Sequence, residues 1–143
     1  MTHAVLDDHL LRDVLAGEVS EQLADVVENH ELATTNMYFV RLCKSVVAAR
    51  GGQLTGRWSI EQRRALAQRL VQLPESIQVV AIRRIGFRMA ELAGAHRLST
   101  LGAEAIAACE QVSGSLCVWE GDDGPAIRAA ARVAGVTYVV VAR

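Results

Sequence analysis

The chain has 143 residues, of which 51% are apolar and 22% charged, a balance that excludes intrinsic disorder and fits one compact domain, residues 1–143. Its net charge of −1 hides a partition: residues 1–40 carry eight acids against one base, residues 41–97 eleven bases against three acids, and residues 98–143 five acids against three bases. Three cysteines (Cys43, Cys109, Cys117), odd in number and without metal-ligand spacing, argue against a disulfide framework and exclude a zinc finger, and six aromatic residues argue against single-strand binding by base stacking alone.

In chain order, the apolar run Ala4-Val5-Leu6 predicts a first strand that ends at Asp7-Asp8. Leu10, Leu11, Val14 and Leu15 then recur at helical spacing until Gly17. Ser20 caps a second helix, residues 31–34 form a short strand, and Thr35 or Asn36 caps a third helix that Gly51-Gly52 ends. Ser59 with Gln62 is a capping box opening a helix that runs to about residue 73, before Pro74. Residues 79–82 fit a short strand or the entry to the next helix, and residues 85–95 are more clearly helical. A small-residue helix over 100–112, a strand over 116–119, a helix over 125–134 with Pro125 in its first turn and a strand over 137–141 complete the chain. Short apolar strands separated by helices predict an α/β fold with a mostly parallel sheet covered on both faces. Ligands of such sheets bind beyond the strands' carboxyl ends, where Asp7-Asp8 and then Glu120, Asp122 and Asp123 fall. No apolar run approaches a membrane span. Residues 1–15 carry Asp7, Asp8, His9, Arg12 and Asp13, unlike a signal or transit peptide, so a cytoplasmic protein is expected.

Three segments resemble the PIN domains, the family that includes the VapC toxin ribonucleases. Val5-Leu6-Asp7-Asp8-His9-Leu10-Leu11 is similar to that family's first strand and acidic turn. Leu98-Ser99-Thr100-Leu101-Gly102-Ala103-Glu104-Ala105-Ile106-Ala107-Ala108 is similar to a segment in which a Leu-Ser pair precedes an Asp-Ala helix start. Leu116-Cys117-Val118-Trp119-Glu120, followed by residues 127–136, is similar to the late strand, acid and helix. The resemblance implies a three-layer PIN-like fold, and RNA cleavage with Mg²⁺ or Mn²⁺ held by three or four carboxylates. A hard cation needs several oxygen ligands to activate water and stabilise charge on the phosphate.

Carried over residue by residue, the resemblance makes Asp7 the first acid and Glu120 the last, with Asp122 and Asp123 beside it. Asp7 and Glu120 are then the catalytic acids, and Asp7, Glu120 and Asp122 the metal ligands, with Asp8 or Asp123 as an extra one. Arg41 stands where a glutamate is expected and Gly102 where an aspartate is expected. Glu104, two residues on from Gly102, is rotated by about 200° and points away. With two acids missing, Arg41 takes the metal's part in a polar cluster of Asp7, Arg41 and Glu120.

The residues also read without the family. Asp7-Asp8 suits a helix cap, residues 120–124 a polar turn, the four histidines structural or surface positions, and Cys43 and Cys109 a core. Arg57, Arg63, Arg64, Arg83, Arg84 and Arg88 suit phosphate contact or a protein partner, including the acidic first forty residues of a second copy. A mean hydropathy of +0.20 favours a homodimer. Three functions follow: a PIN-like protein binding RNA or a protein partner, with weak or no nuclease activity and no cofactor; an active Mg²⁺-dependent ribonuclease toxin of a toxin–antitoxin pair; or an unrelated α/β binding domain.

Overall fold

The central strand β1 (His3–Leu6) has a parallel partner on each side, β2 (Glu31–Thr34) and β4 (Ser115–Trp119). The edges are β3 (Ile77–Val79) and β5 (Tyr138–Val141), both parallel to their neighbours, which gives the order β3-β2-β1-β4-β5. The computed structural model describes residues 1–143. Its helices are α1 (Asp8–Ala16), α2 (Glu21–Asn29), α3 (Asn36–Val47), the single turn α4 (Gly52–Thr55), α5 (Ile60–Val71), α6 (Ile82–Ala95), α7 (Thr100–Val112) and α8 (Pro125–Ala134).

Side-chain alternation along β1 explains the three layers. Val5 points to one face with Leu116 and Val118 of β4, under α6, α7 and α8. Ala4 and Leu6 point to the other with Cys117 and Val141, under α1 and α2. A third cluster joins Leu11 and Leu15 of α1 to Leu42, Leu54, Leu66, Leu70 and Ile77, and so holds α3, α4 and α5 against α1. Every buried strand residue is aliphatic, Cys or Thr, as a doubly covered parallel sheet requires.

The helix starts follow their caps. Asp7, Ser20, Thr35 and Ser99 each accept the backbone N–H three residues on, and Ser59 with Gln62 forms the expected reciprocal box. Gly17 and Gly135, both at φ +73°, end α1 and α8 in the left-handed conformation. Two local expectations are refined. Residues 79–82 hold both alternatives: β3 ends at Val79, because Ile77–Val79 pairs with Leu32–Thr34, and α6 begins at Ile82. Gly51-Gly52 ends the α3 segment, yet Gly52 also opens α4, which a 2.8 Å contact between the Ser45 and Thr55 hydroxyls ties back to α3.

The chain leaves β1 for β2 and β3, then returns to β1's other side as β4. Strand order therefore reverses at β1, opening a crevice at the carboxyl ends of β1 and β4. No helix is long and apolar enough to cross a membrane.

Candidate functional site

Asp7 closes β1 and caps α1. Its Oδ1 accepts the Leu10 N–H at 2.9 Å, and its Oδ2 accepts the Trp119 N–H at 2.8 Å. One carboxylate thus fixes the start of α1 and the end of β4 relative to each other. Burial pushes this acid up to about 7, although both N–H donors pull it down; the nearby charges of Asp8 and Asp122 push the same way as burial.

Asp8, the first residue of α1, is 1% exposed. Its Oδ1 accepts the His9 N–H at 2.9 Å and lies 3.2 Å from His9 Nδ1. Its Oδ2 lies 3.3 Å from Arg41 Nε without hydrogen-bond alignment, so this buried oxygen has a cation beside it and no hydrogen-bond donor. His9 Nδ1 also lies 2.8 Å from Asp122 Oδ2, and its ring stacks on Trp119 at 4.4 Å between centroids. Burial alone would lower the imidazole, but the hydrogen bonds to Asp122 and Asp8 prevail and hold it up to about 9, an imidazolium at neutral pH. Two cations of the chain, the buried His9 and the half-exposed Arg41, therefore face a knot of three carboxylates.

The expected cluster of Asp7, Arg41 and Glu120 is corrected in two places. Arg41 meets Asp8, because Asp7 has both oxygens turned onto backbone amides. Glu120 is exposed and Asp122 takes the inward position. Residues Glu120–Asp122 form one 3₁₀ turn, where two residues differ by about 240° and so face different sides. Asp123 turns away, accepting from Arg128 at 2.6 Å and from the Tyr138 hydroxyl at 2.9 Å. Glu104 faces the first turn of α3, accepting the N–H groups of Asn36 and Met37 at 3.2 and 2.9 Å. His9, read as structural or surface, joins the cluster; its position directly after Asp7-Asp8 was the available signal. Cys109 and Cys117 are buried, and burial pushes both thiols far above their ordinary range, as core positions require.

The basic residues divide similarly. Arg63 folds onto the carbonyls of Val46, Ala48 and Ala49 at the carboxyl end of α3, and Arg88 pairs with Glu110 at 2.8 Å. Arg64, Arg83 and Arg84 are exposed and line none of the clefts at the strand ends. Three such clefts, of about 400, 260 and 630 Å³, meet at the cluster: His9 and Arg41 line the first, Arg41 and Asp122 the second, His9 and Asp122 the third. Their rims carry Lys44, Arg97 and Arg57 in turn, so the acidic knot lies inside a cationic surround. Gly102 lines the second cleft beside Asp122 and Arg41.

One ligand atom from each of Asp7, Asp8, His9 and Asp122 lies within 4.8 Å of the others, close enough for a metal. The arrangement does not fit Mg²⁺ or Mn²⁺, which want oxygen ligands and their coordinated waters. Asp7's oxygens hold amides, His9 Nδ1 lies against Asp8 and Asp122, and the Arg41 guanidinium stands beside Asp8. No protein-family model matches the chain, and no curated protein matches it.

Proposed function

We propose that this chain is a PIN-like protein, related to the toxin ribonucleases, that binds RNA across the carboxyl ends of its strands with weak or no metal-dependent cleavage. The observation that carries this is the placement of His9 and Arg41 against Asp8, where protein cations balance the carboxylates that a nuclease would give to metal. The sheet order, the acids at the switch point and the arginine and lysine rims support it together. A second copy of the chain as partner is supported by exposed Val47, Val71 and Phe87; an antitoxin partner and a cytoplasmic location rest on the sequence alone.

An active Mg²⁺-dependent nuclease is favoured instead by one feature, the Asp8 oxygen that lacks a hydrogen-bond donor. Calorimetry with Mn²⁺ and filter binding of single-stranded RNA decide between them. The wild-type protein is expected to bind RNA with affinity that falls as salt rises, at a slope of about −0.7 per phosphate contact, and to show no site-specific Mn²⁺ uptake. Arg41→Glu should weaken RNA binding. Combined with Gly102→Asp, where a Cβ meets only ordinary contacts from Leu98, Ser99 and Ile127, it should create Mn²⁺ binding. Micromolar Mn²⁺ binding by the wild type, lost in Asp122→Asn, would restore the nuclease. Failure to bind RNA even at low salt would remove RNA from the function.

A further inference from the structure

The chain's two tryptophans lie far apart in sequence, Trp58 in the α4–α5 connection and Trp119 at the end of β4, yet both line the 630 Å³ cleft. Beneath them Asp13 of α1 holds two guanidinium groups. Arg12, 3% exposed, meets it at 2.8 Å and also donates to the Leu54 carbonyl at 2.6 Å; Arg143 meets it at 2.7 Å. Each arginine lies over one indole, Arg12 at 5.6 Å from the Trp58 ring centre and Arg143 at 5.3 Å from that of Trp119. The result is a linked row of indole, guanidinium, carboxylate, guanidinium and indole, with the carboxylate hydrogen-bonded to both guanidinium edges. Two cations share one anion, so a positive charge is left over between the aromatic walls. Exposed Arg57 at the rim adds another and enters no ion pair of its own chain. Trp119 is further oriented by Gly121, where even a Cβ would come within 2.3 Å of the ring.

Indoles with surplus guanidinium charge suit a ligand that joins a flat π face to an anion. An acidic peptide would use the arginines and leave the indoles idle, and an apolar ligand would strand the charge. We propose that the cleft is a base-binding site that seats one unpaired nucleotide of single-stranded RNA, its base against Trp58, since Trp119 already carries the His9 ring and the Arg143 guanidinium, and its phosphate on Arg57. This rests on the RNA-binding function above and adds to it the part of the RNA that is recognised.

The test uses tryptophan emission, because both fluorophores line the cleft. The full chain is titrated with an oligouridylate, an abasic oligomer of the same length, and uridine monophosphate. The oligouridylate is expected to change the emission and to bind about tenfold more tightly than the abasic oligomer. Trp58→Leu keeps apolar bulk against its core neighbours, which circular dichroism checks, and should narrow that tenfold gap; Arg57→Ser should weaken both oligomers. Equal binding of the two oligomers, weakened in both by Arg41→Glu, would overturn the base site and leave RNA binding intact. Uridine monophosphate binding as tightly as the oligouridylate would overturn the strand as ligand. No binding of either oligomer would overturn both proposals.

Discussion

His9 is held by two carboxylates that come from opposite ends of the chain, and the pairing sets how the fold responds to pH. Its folded value of about 9 lies above the ordinary 6.5, so the stability this pair contributes is complete below pH 6.5 and disappears as pH rises through 9. Asp7 acts in the same direction at lower pH. A carboxyl raised from 3.8 to about 7 favours the fold most while protonated, and that advantage is lost between those values. Wild-type melting temperature should therefore fall between pH 7 and pH 10, and His9→Gln should melt lower at pH 7 with a flatter dependence above it. Parallel profiles for the two proteins would remove His9 from the account. Asp7→Ala, by contrast, loses a helix cap and the tie to Trp119 together, and is expected to cost about 1–3 kcal/mol in urea unfolding. For this reason Asp122→Asn, at a half-exposed side chain, is the cleaner probe of the site. Asp7 and Asp122 were both legible from their places after strands. Asp8 was offered only as an extra ligand, since strand-end acids read equally as caps, and His9 was not assigned to the site, since a lone histidine gives no sign of a partner far along the chain.

Among the elements, α3 shows how helix ends are held in a crowded parallel fold. Its first amides donate to Glu104 of α7, a fully buried carboxylate whose only compensation is that helix end and the Asn36 side chain. Its last carbonyls accept from Arg63 of α5. Glu104→Gln keeps the shape but offers one acceptor and turns an N–H₂ group towards other donors. It should destabilise the protein by about 2 kcal/mol in urea unfolding, and an unchanged midpoint would show that α3 is held by its apolar contacts alone. Most element positions were readable because caps and glycines write local geometry into local sequence: Ser59 with Gln62, Ser99, Pro125 and Gly135 all mark real ends. Arg63, Arg88 and Glu104 were harder, because a charged side chain on a helix looks the same whether water or a neighbouring helix end receives it. Trp58 and Trp119 were harder still. Six aromatic residues in the whole chain suggest no stacking surface, and only the fold brings both indoles to one cleft.

At the scale of the molecule, the strand order makes the middle of the sheet depend on the two ends of the sequence. β1 pairs with β4 from the last third of the chain, and the Asp7 carboxylate receives a Trp119 amide 112 residues away. A protein cut after Gly114 would lose β4, β5 and α8, leaving β1 as an edge strand and parting Val5 from Leu116 and Val118. Such a fragment should show no cooperative thermal transition by circular dichroism, and a cooperative one would mean that β1, β2 and β3 with their helices form a separate folding unit. Contacts this distant also bear on the order of events during synthesis. At about 5–20 residues per second, Asp7 is made roughly 5–20 s before Trp119. Throughout that interval its carboxylate is hydrated, α1 lacks its sheet, and the crevice has no second wall. The chain thus passes most of the synthesis of these residues without its candidate site.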